Sequence, residues 1–328
     1  MPDFELSRPS TYAQAAALLA AEPAARLLAG GTDLVPNLRR GLGSPTRLVD
    51  LGAVRGHAEI EISASNWVLG AGVTLARLGS EARLQGAGVA LVEAARAAAG
   101  PGHRTMATVG GNLCQDTRCV FYNQSAWWRQ ANAYCLKRDG ATCHVAPQGK
   151  HCHAAYSGDL APAFIVLGAE VELLSPRGTR RLALAGCYRD DGAAHLTLEH
   201  DEVLTRVLLP VPAPGLASGY RKARVRAAMD FALAGAAVAL RMQAGALAEL
   251  RIALSGTNSQ PLLLQGTDAF IGQPADASML AALGKLVQKQ VSPMRTTVTP
   301  SNYRRLVAAV LVQRLVAALA GATPAVGA

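Results

Sequence analysis

Between Asn112 and Gly158 the chain carries cysteines, histidines, a Trp127-Trp128 pair and basic residues, with no sustained hydrophobic period. A segment without a period of 2 or 3.6 cannot bury one face as a strand or helix. It reads as an insertion-like loop held by something other than a core, and regular elements must frame it on both sides. Five of the six cysteines, Cys114, Cys119, Cys135, Cys143 and Cys152, fall in this segment, and only Cys187 stands apart. A disulfide framework requires an oxidising compartment. The opening Met1-Pro-Asp-Phe-Glu5 has neither a basic n-region nor an apolar run of signal-peptide length, so the chain reads as cytoplasmic and its thiols as free for metals. Cys119, Cys135, Cys143 and Cys152 follow one another at intervals of 16, 8 and 9 residues. Zinc sites usually draw on tight pairs such as Cys-x-x-Cys, which are missing here. Four thiolates on an irregular loop can enclose an iron–sulfur cluster. His144, His151 and His153 keep a mixed Cys/His zinc site open, and unliganded thiols are the third reading. Cys114 and Cys187 need no role beyond small apolar fillers.

The rest of the 328 residues is enough for two or three domains. Half the residues are hydrophobic and only 17% charged, which excludes a collagen, a coiled coil and a disordered scaffold. Aromatics are 5%, so Ala, Val and Leu must fill the interior. A first helix is expected over 9–21 with Ser10 as its cap, then a short strand running into a glycine pair over 26–33, strands at 47–51 and 67–74, and helices at 75–78 and 88–99. After the irregular segment an apolar helix begins at Leu160, with strands around 171–174, 181–184 and 203–209. Pro210 to Gly219 reads as a linker and domain boundary. Beyond it come a helix at 227–240, a strand at 248–254 and helices at 277–289 and 303–320. The apolar stretches 227–240 and 306–319 are too short and too interrupted to span a membrane. The net charge is +9, but the basic residues are scattered apart from Tyr220 to Arg226. Without interleaved aromatics or a recognition motif, nucleic acid is not the expected partner. The basic surplus suits an anionic cofactor or an acidic partner subunit.

Ala29-Gly30-Gly31-Thr32-Asp33 follows a strand, and Thr108-Val109-Gly110-Gly111-Asn112 has the same form. Paired glycines let a backbone turn with its amides exposed to an anion such as a diphosphate. Each alone could be a tight turn without a ligand, and two together point to a dinucleotide cradle. Neither is Gly-x-Gly-x-x-Gly opening a helix, which disfavours a Rossmann site. By default Ser157-Gly158-Asp159 reads as a helix cap, Lys222 as a solvated basic residue and the Trp pair as packing. No Gly-x-Ser-x-Gly elbow supports a hydrolase.

Taken in series, these residues resemble the FAD-binding medium subunits of the xanthine oxidase group of molybdenum hydroxylases. The resemblance spans essentially the whole chain. It rests on Leu27 to Leu34, Leu48-Val-Asp-Leu51, Gly70-Ala-Gly-Val-Thr74, His103 to Asn112, Ser157 to Pro162, the Asp201 to Pro210 strand, and Tyr220-Arg-Lys222 leading to Asp230-Phe-Ala232. In that family the second glycine turn runs almost directly into a Ser-Asp segment, whereas here about forty residues intervene. The intervening stretch is similar to that of the 4-hydroxybenzoyl-CoA reductase beta subunits, where four cysteines hold a [4Fe–4S] cluster. The family usually has Arg-Asn where Arg104-Thr105 stands, and Gly158 is extra within Ser157-Gly158-Asp159.

The resemblance implies an α+β fold. A FAD-binding domain of vanillyl-alcohol-oxidase (PCMH) type would have subdomains at 1–53 and 54–212, with the iron–sulfur insertion at about 113–156. A C-terminal α+β domain of CO dehydrogenase flavoprotein type would follow at 218–322. It implies that Leu28, Ala29, Gly30, Gly31, Thr32, Asp33, Leu34 and Val35, with Thr108, Val109, Gly110, Gly111 and Asn112, hold FAD. Asp159, Leu204 and Lys222 would lie near the flavin and its adenine half, and Cys119, Cys135, Cys143 and Cys152 would ligate the cluster. No residue of this chain would be catalytic in the substrate chemistry. That chemistry would belong to a molybdopterin-containing large subunit, with [2Fe–2S] clusters on a small one and ferredoxin or another external redox partner. The expected function is electron transfer through FAD and [4Fe–4S], in reductive dehydroxylation of an aromatic CoA thioester. The alternatives are the same subunit in an oxidative molybdenum dehydrogenase or aldehyde oxidase, and, from another class, a zinc-stabilised binding module.

Overall fold

Short apolar segments punctuated by glycine turns must find partners across the chain, and in the computed structural model they assemble three sheets. The structure describes residues 1–226, 229–295 and 299–321. The first sheet is parallel, in the order β1 (Glu5–Ser7), β3 (Arg47–Asp50), β2 (Arg26–Leu28). Helix α1 (Tyr12–Ala21) connects β1 to β2, and α2 (Leu34–Arg39) follows β2. The cap of α1 is Thr11 rather than Ser10. The Thr11 hydroxyl accepts from the Gln14 amide at 3.2 Å, while the Ser10 amide donates to Gln14 Oε1 at 2.9 Å. The first bond satisfies a first-turn donor of the helix, and the second ties Gln14 back to the residue before the cap. Ala15, Ala16 and Leu19 of α1 pack on Val49 and on Val203 of the next sheet.

That second sheet is antiparallel, in the order β4 (Ile60–Ile62), β5 (Trp67–Gly70), β8 (Val203–Leu209), β6 (Glu170–Ser175), β7 (Gly178–Ala183). Its β5–β8 pairing joins strands from either side of the cysteine segment. Helices α3 (Leu75–Gly79), α4 (Val89–Ala97), α5 (Pro101–Arg104), α6 (Val109–Leu113), α7 (Ala126–Ala131) and α8 (Leu160–Val166) follow in chain order. The main core joins Leu91 of α4 and Phe164 of α8 to Leu69, Val171 and Val207 of the sheet. The third sheet, again antiparallel, runs β12 (Leu262–Leu263), β11 (Ala246–Ser255), β10 (Ala234–Gln243), β9 (Leu216–Ala223). Val238, Leu240 and Ile252 on one face pack on α9 (Ala277–Gln290) and α10 (Ser301–Leu319). Ala237, Ala239 and Ala253 on the other face join the main core. The α+β class holds.

Two expectations are corrected. Residues 227 and 228 of the expected helix at 227–240 lie outside the described residues, and 234–240 is strand β10. Both faces of β10 are buried, so its apolar run lacks the alternation that separates a strand from a buried helix. The linker at 210–219 is shorter than expected, because Leu216 already opens β9 and Ser218 and Tyr220 are buried there. Among the described residues no helix is long and apolar enough to cross a membrane.

Candidate functional site

The two glycine turns meet. A Cβ on Gly30 would overlap the Met106 carbonyl, lying 2.5 Å from its carbon, so the first turn presses directly on the turn between α5 and the second glycine turn. A Cβ on Gly110 would lie 2.9 Å from that of Ala71, and one on Gly111 would come 3.9 Å from that of Ala29. At Gly30 and Gly110 no side chain larger than hydrogen leaves the turns in place, which is the physical reason for glycine at these two positions. Thr108 fixes the second turn by accepting from the Gly111 amide at 3.1 Å. The turns open onto a cavity of about 1060 Å³, above the usual range for a drug-sized ligand and suited to an elongated one. Every residue expected to line a flavin site does so except Leu28, Val35 and Val109. A Cβ on Gly31 would meet Val35 and Leu28 at 3.2 and 3.3 Å, so these two pack beneath the turn, and Val109 is buried in the main core.

Asp159 and Lys222 correct the default readings. The side chain of Asn112 accepts from the Leu160 amide at 3.0 Å and takes over the start of α8, leaving Asp159 free of any capping bond. Asp159 Oδ1 instead accepts from the Tyr220 hydroxyl at 2.7 Å and from Lys222 at 2.9 Å. The Lys222 side chain is 4% exposed, so it is a buried partner and not a solvated cation. Burial, reinforced by the adjacent Asp159 charge, pushes the Tyr220 phenol well above its ordinary value and keeps it a donor. Asp159 and Lys222 line the cavity, with Tyr220 buried behind them.

Sequence reasoning missed three further residues of the cavity. His195 is buried and bonded to the Gln115 carbonyl at 3.0 Å, and burial pulls its ring down to about 4. Arg118 pairs with Asp33 and donates to Asn37 Oδ1 at 2.9 Å, tying the cysteine segment to the first turn. Lys137 is buried beside Asp116. The only signal for Arg118 and Lys137 was their position next to Cys119 and Cys135.

Cys119, Cys135, Cys143 and Cys152 line a second, small cavity together with Phe121, Tyr122, Leu136, Lys137 and His144. Cys114 lies on the large cavity and Cys187 in the main core. The backbone amide of Ala154 bonds to the Cys152 sulfur at 3.4 Å, and the Tyr122 and Phe121 amides act on the Cys119 sulfur in the same sense. Such bonds stabilise sulfur that carries negative charge. Burial opposes that charge, pushing the Cys119 thiol up and that of Cys152 to about 11. Zinc at roughly 2.3 Å from each sulfur requires ligands converging on a point. Among the described residues no group of three or more Cys, His, Asp or Glu is placed to hold a metal ion, and the cavity that the four thiols line measures only about 10 Å³. His144 Nε2 is engaged by the Tyr134 carbonyl at 2.6 Å, and His151 and His153 stack on each other at 4.3 Å. Trp127 does not pack as expected. It is 75% exposed, whereas Trp128 meets Phe121 and His144.

A family model described as the FAD binding domain in molybdopterin dehydrogenase matches residues 2–212, and the CO dehydrogenase flavoprotein C-terminal domain matches residues 218–319. The chain is 32% identical over 287 residues to the aldehyde oxidoreductase FAD-binding subunit PaoB of Escherichia coli (strain K12), covering 84% of this chain and 88% of that one. It is 28% identical to the carbon monoxide dehydrogenase medium chain of Afipia carboxidovorans, covering 95% of each. Among solved structures, a Cu,Mo-CO dehydrogenase in its cyanide-inactivated form superposes with a TM-score of 0.81 at 27% identity, covering 98% of this chain and 99% of that one.

Proposed function

The chain belongs to the FAD-binding medium subunits of xanthine oxidase-type molybdenum hydroxylases, and on that premise we propose that it transfers electrons between FAD and an iron–sulfur cluster of its own. The observation that carries the proposal is the pair of cavities: facing glycine turns on one, four thiols around the other, with Tyr122 and Lys137 lining both. FAD, when bound, exchanges two electrons with one-electron carriers. The residues of this chain supply the rest. The amides of the two turns receive the diphosphate, Asp159 and Lys222 orient the cavity wall near the flavin, and the wall of the thiol cavity shields its contents from water. The shared lining of one cavity by Cys119, Cys135, Cys143 and Cys152 is what supports them as the ligands of a four-iron cluster. We assign 1–53 and 54–212 to the two flavin subdomains, with the insertion at about 113–156, and 218–322 to the C-terminal domain.

Substrate chemistry falls to a molybdopterin-containing large subunit, and [2Fe–2S] centres to a small subunit. The relatives support an oxidative complex acting on an aldehyde or a comparable substrate, with electrons leaving through FAD to an external acceptor. The reductive reading, resembling 4-hydroxybenzoyl-CoA reductase with ferredoxin as donor, rests on the cysteine segment alone. The complex purified with this subunit should carry flavin absorbance and, in this chain, about four irons. Oxidation of aldehydes without reduction of aromatic CoA thioesters supports the first reading, and the converse supports the second. Cys135→Ser should remove the cluster signal while flavin stays bound. Stoichiometric zinc in place of iron would overturn the electron-transfer role of the cysteines.

A further inference from the structure

We propose that Lys137 is a fixed internal cation that raises the reduction potential of the group held by the four cysteines, with Asp116 as its opposing charge. The inference rests on the iron–sulfur reading above. Lys137 lines both cavities and so stands in the wall between the two redox sites. Its side chain is 5% exposed, and its ammonium donates to Asp116 Oδ1 at 2.6 Å, to the Gly192 carbonyl at 2.9 Å and to the Thr117 hydroxyl. With the Thr117 carbonyl at 3.4 Å, four oxygens surround its three donors, which holds the charge in one place. The Tyr122 ring, also in that wall, lies 5.1 Å from the ammonium.

Asp116 is disposed differently. It lines only the large cavity, and its side chain is 42% exposed. The pair is therefore a dipole with its positive end against the thiol cavity and its negative end toward the flavin cavity and water. Water screens the carboxylate more than the buried ammonium, so the pair does not cancel at the cysteines. An added electron is favoured beside a fixed positive charge. Lys137 thus raises the potential of the cysteine-held group, Asp116 lowers it, and a flavin held in the large cavity, which both residues line, would respond less.

The experiment uses the co-purified complex carrying Lys137→Met, Lys137→Arg or Asp116→Asn, with iron and FAD content determined for each. Midpoint potentials are read from the paramagnetic cluster signal and from flavin absorbance. Lys137→Met should shift the cluster midpoint to more negative values, and the flavin midpoint by less. Asp116→Asn should shift the cluster midpoint to more positive values, and Lys137→Arg should restore it. A purely structural tie would move Lys137→Met and Asp116→Asn in the same direction, because both break the same contact. That result, or an unchanged cluster midpoint in Lys137→Met with its iron retained, overturns the inference. If Lys137→Met loses its iron, opposite behaviour of Asp116→Asn and near-identity of Lys137→Arg with the native complex support the inference, and any other pattern overturns it. A native complex without iron in this chain overturns the iron–sulfur reading itself and this inference with it.

Discussion

Lys222→Met tests whether Lys222 and Asp159 act as a buried pair in the cavity wall. The Lys222 and Asp159 side chains are 4% and 7% exposed, and their atoms approach to 2.9 Å. Removing the cation leaves Asp159 buried with the Tyr220 hydroxyl as its remaining partner, at 2.7 Å. Stranding one charge of a buried pair costs about 3–5 kcal/mol. The surviving Tyr220 bond places this case at the lower end, about 3 kcal/mol. Thermal midpoints fall by about 2–4 °C per kcal/mol in units of 150–250 residues. The matched flavin-binding region spans residues 2–212, so the loss should be on the order of 10 °C, read by circular dichroism on flavin-free protein. Asp159→Asn combined with Lys222→Met removes both charges and should recover at least half of that loss. The coupling between the two substitutions is the quantity tested. Additive effects, or a midpoint within about 2 °C of native for Lys222→Met alone, would refute the buried-pair reasoning.

Three other changes probe separate parts of the site. Burial keeps His195 neutral down to about pH 4, whereas an unfolded histidine takes up its proton near pH 6.5, so the unfolded state binds more protons between these values. Stability should therefore rise with pH from about 4 to 6.5, by up to roughly 1.4 kcal/mol per pH unit, and His195→Gln should flatten that rise in urea titrations. Gly30→Ala forces a Cβ into the Met106 carbonyl and should abolish FAD retention, while Gly102→Ala, with open space around it, should retain FAD fully. Gly158→Ala would set a Cβ 2.8 Å from the Asn112 carbonyl oxygen and 2.6 Å from Tyr156 Cζ, and should cost roughly 1–3 kcal/mol in a urea midpoint measurement.

The legible parts of the chain were those where a local rule has one solution. Paired glycines after a strand marked both turns, because a backbone pressed on another backbone leaves no room for a Cβ. Helix α9 announced itself through a one-sided apolar face, with Met279, Leu283 and Val287 buried, and α10 through an apolar run of helical length. Strand β10 misled because Ala234 to Leu240 is buried on both sides, and an unbroken apolar run carries no period to read. The Asp159–Tyr220–Lys222 network was invisible as geometry, since it joins the start of α8 to β9 across sixty positions of sequence, and only family resemblance pointed to two of its members. Arg118, Lys137 and His195 were missed for the same reason: each acquires its role from partners supplied by the fold, and none sits in a local pattern.

The cysteines lack tight sequence pairs because the backbone does the pairing. The insertion leaves and re-enters the fold at one place, where the Tyr156 hydroxyl donates to the Asn112 carbonyl at 3.0 Å and the Leu113 carbonyl at 3.2 Å. Gly158, the residue extra to the family pattern, is what lets the returning chain pass that close to Asn112. Just inside, Arg118 and Ala155 exchange amide bonds of 2.7 and 2.8 Å, and this two-residue bridge brings Cys119 and Cys152 to one end of the loop. Cys135 and Cys143 are brought together by a turn in which the Cys135 amide bonds to the Arg138 carbonyl and that of Leu136 to the Thr142 carbonyl. With its ends already joined, lengthening such a loop costs only about 0.6 kcal/mol per doubling. A second site can therefore be added beside the glycine turns without moving them, and Arg118, bonded to Asp33 and Asn37, keeps the addition in register with the cradle it adjoins.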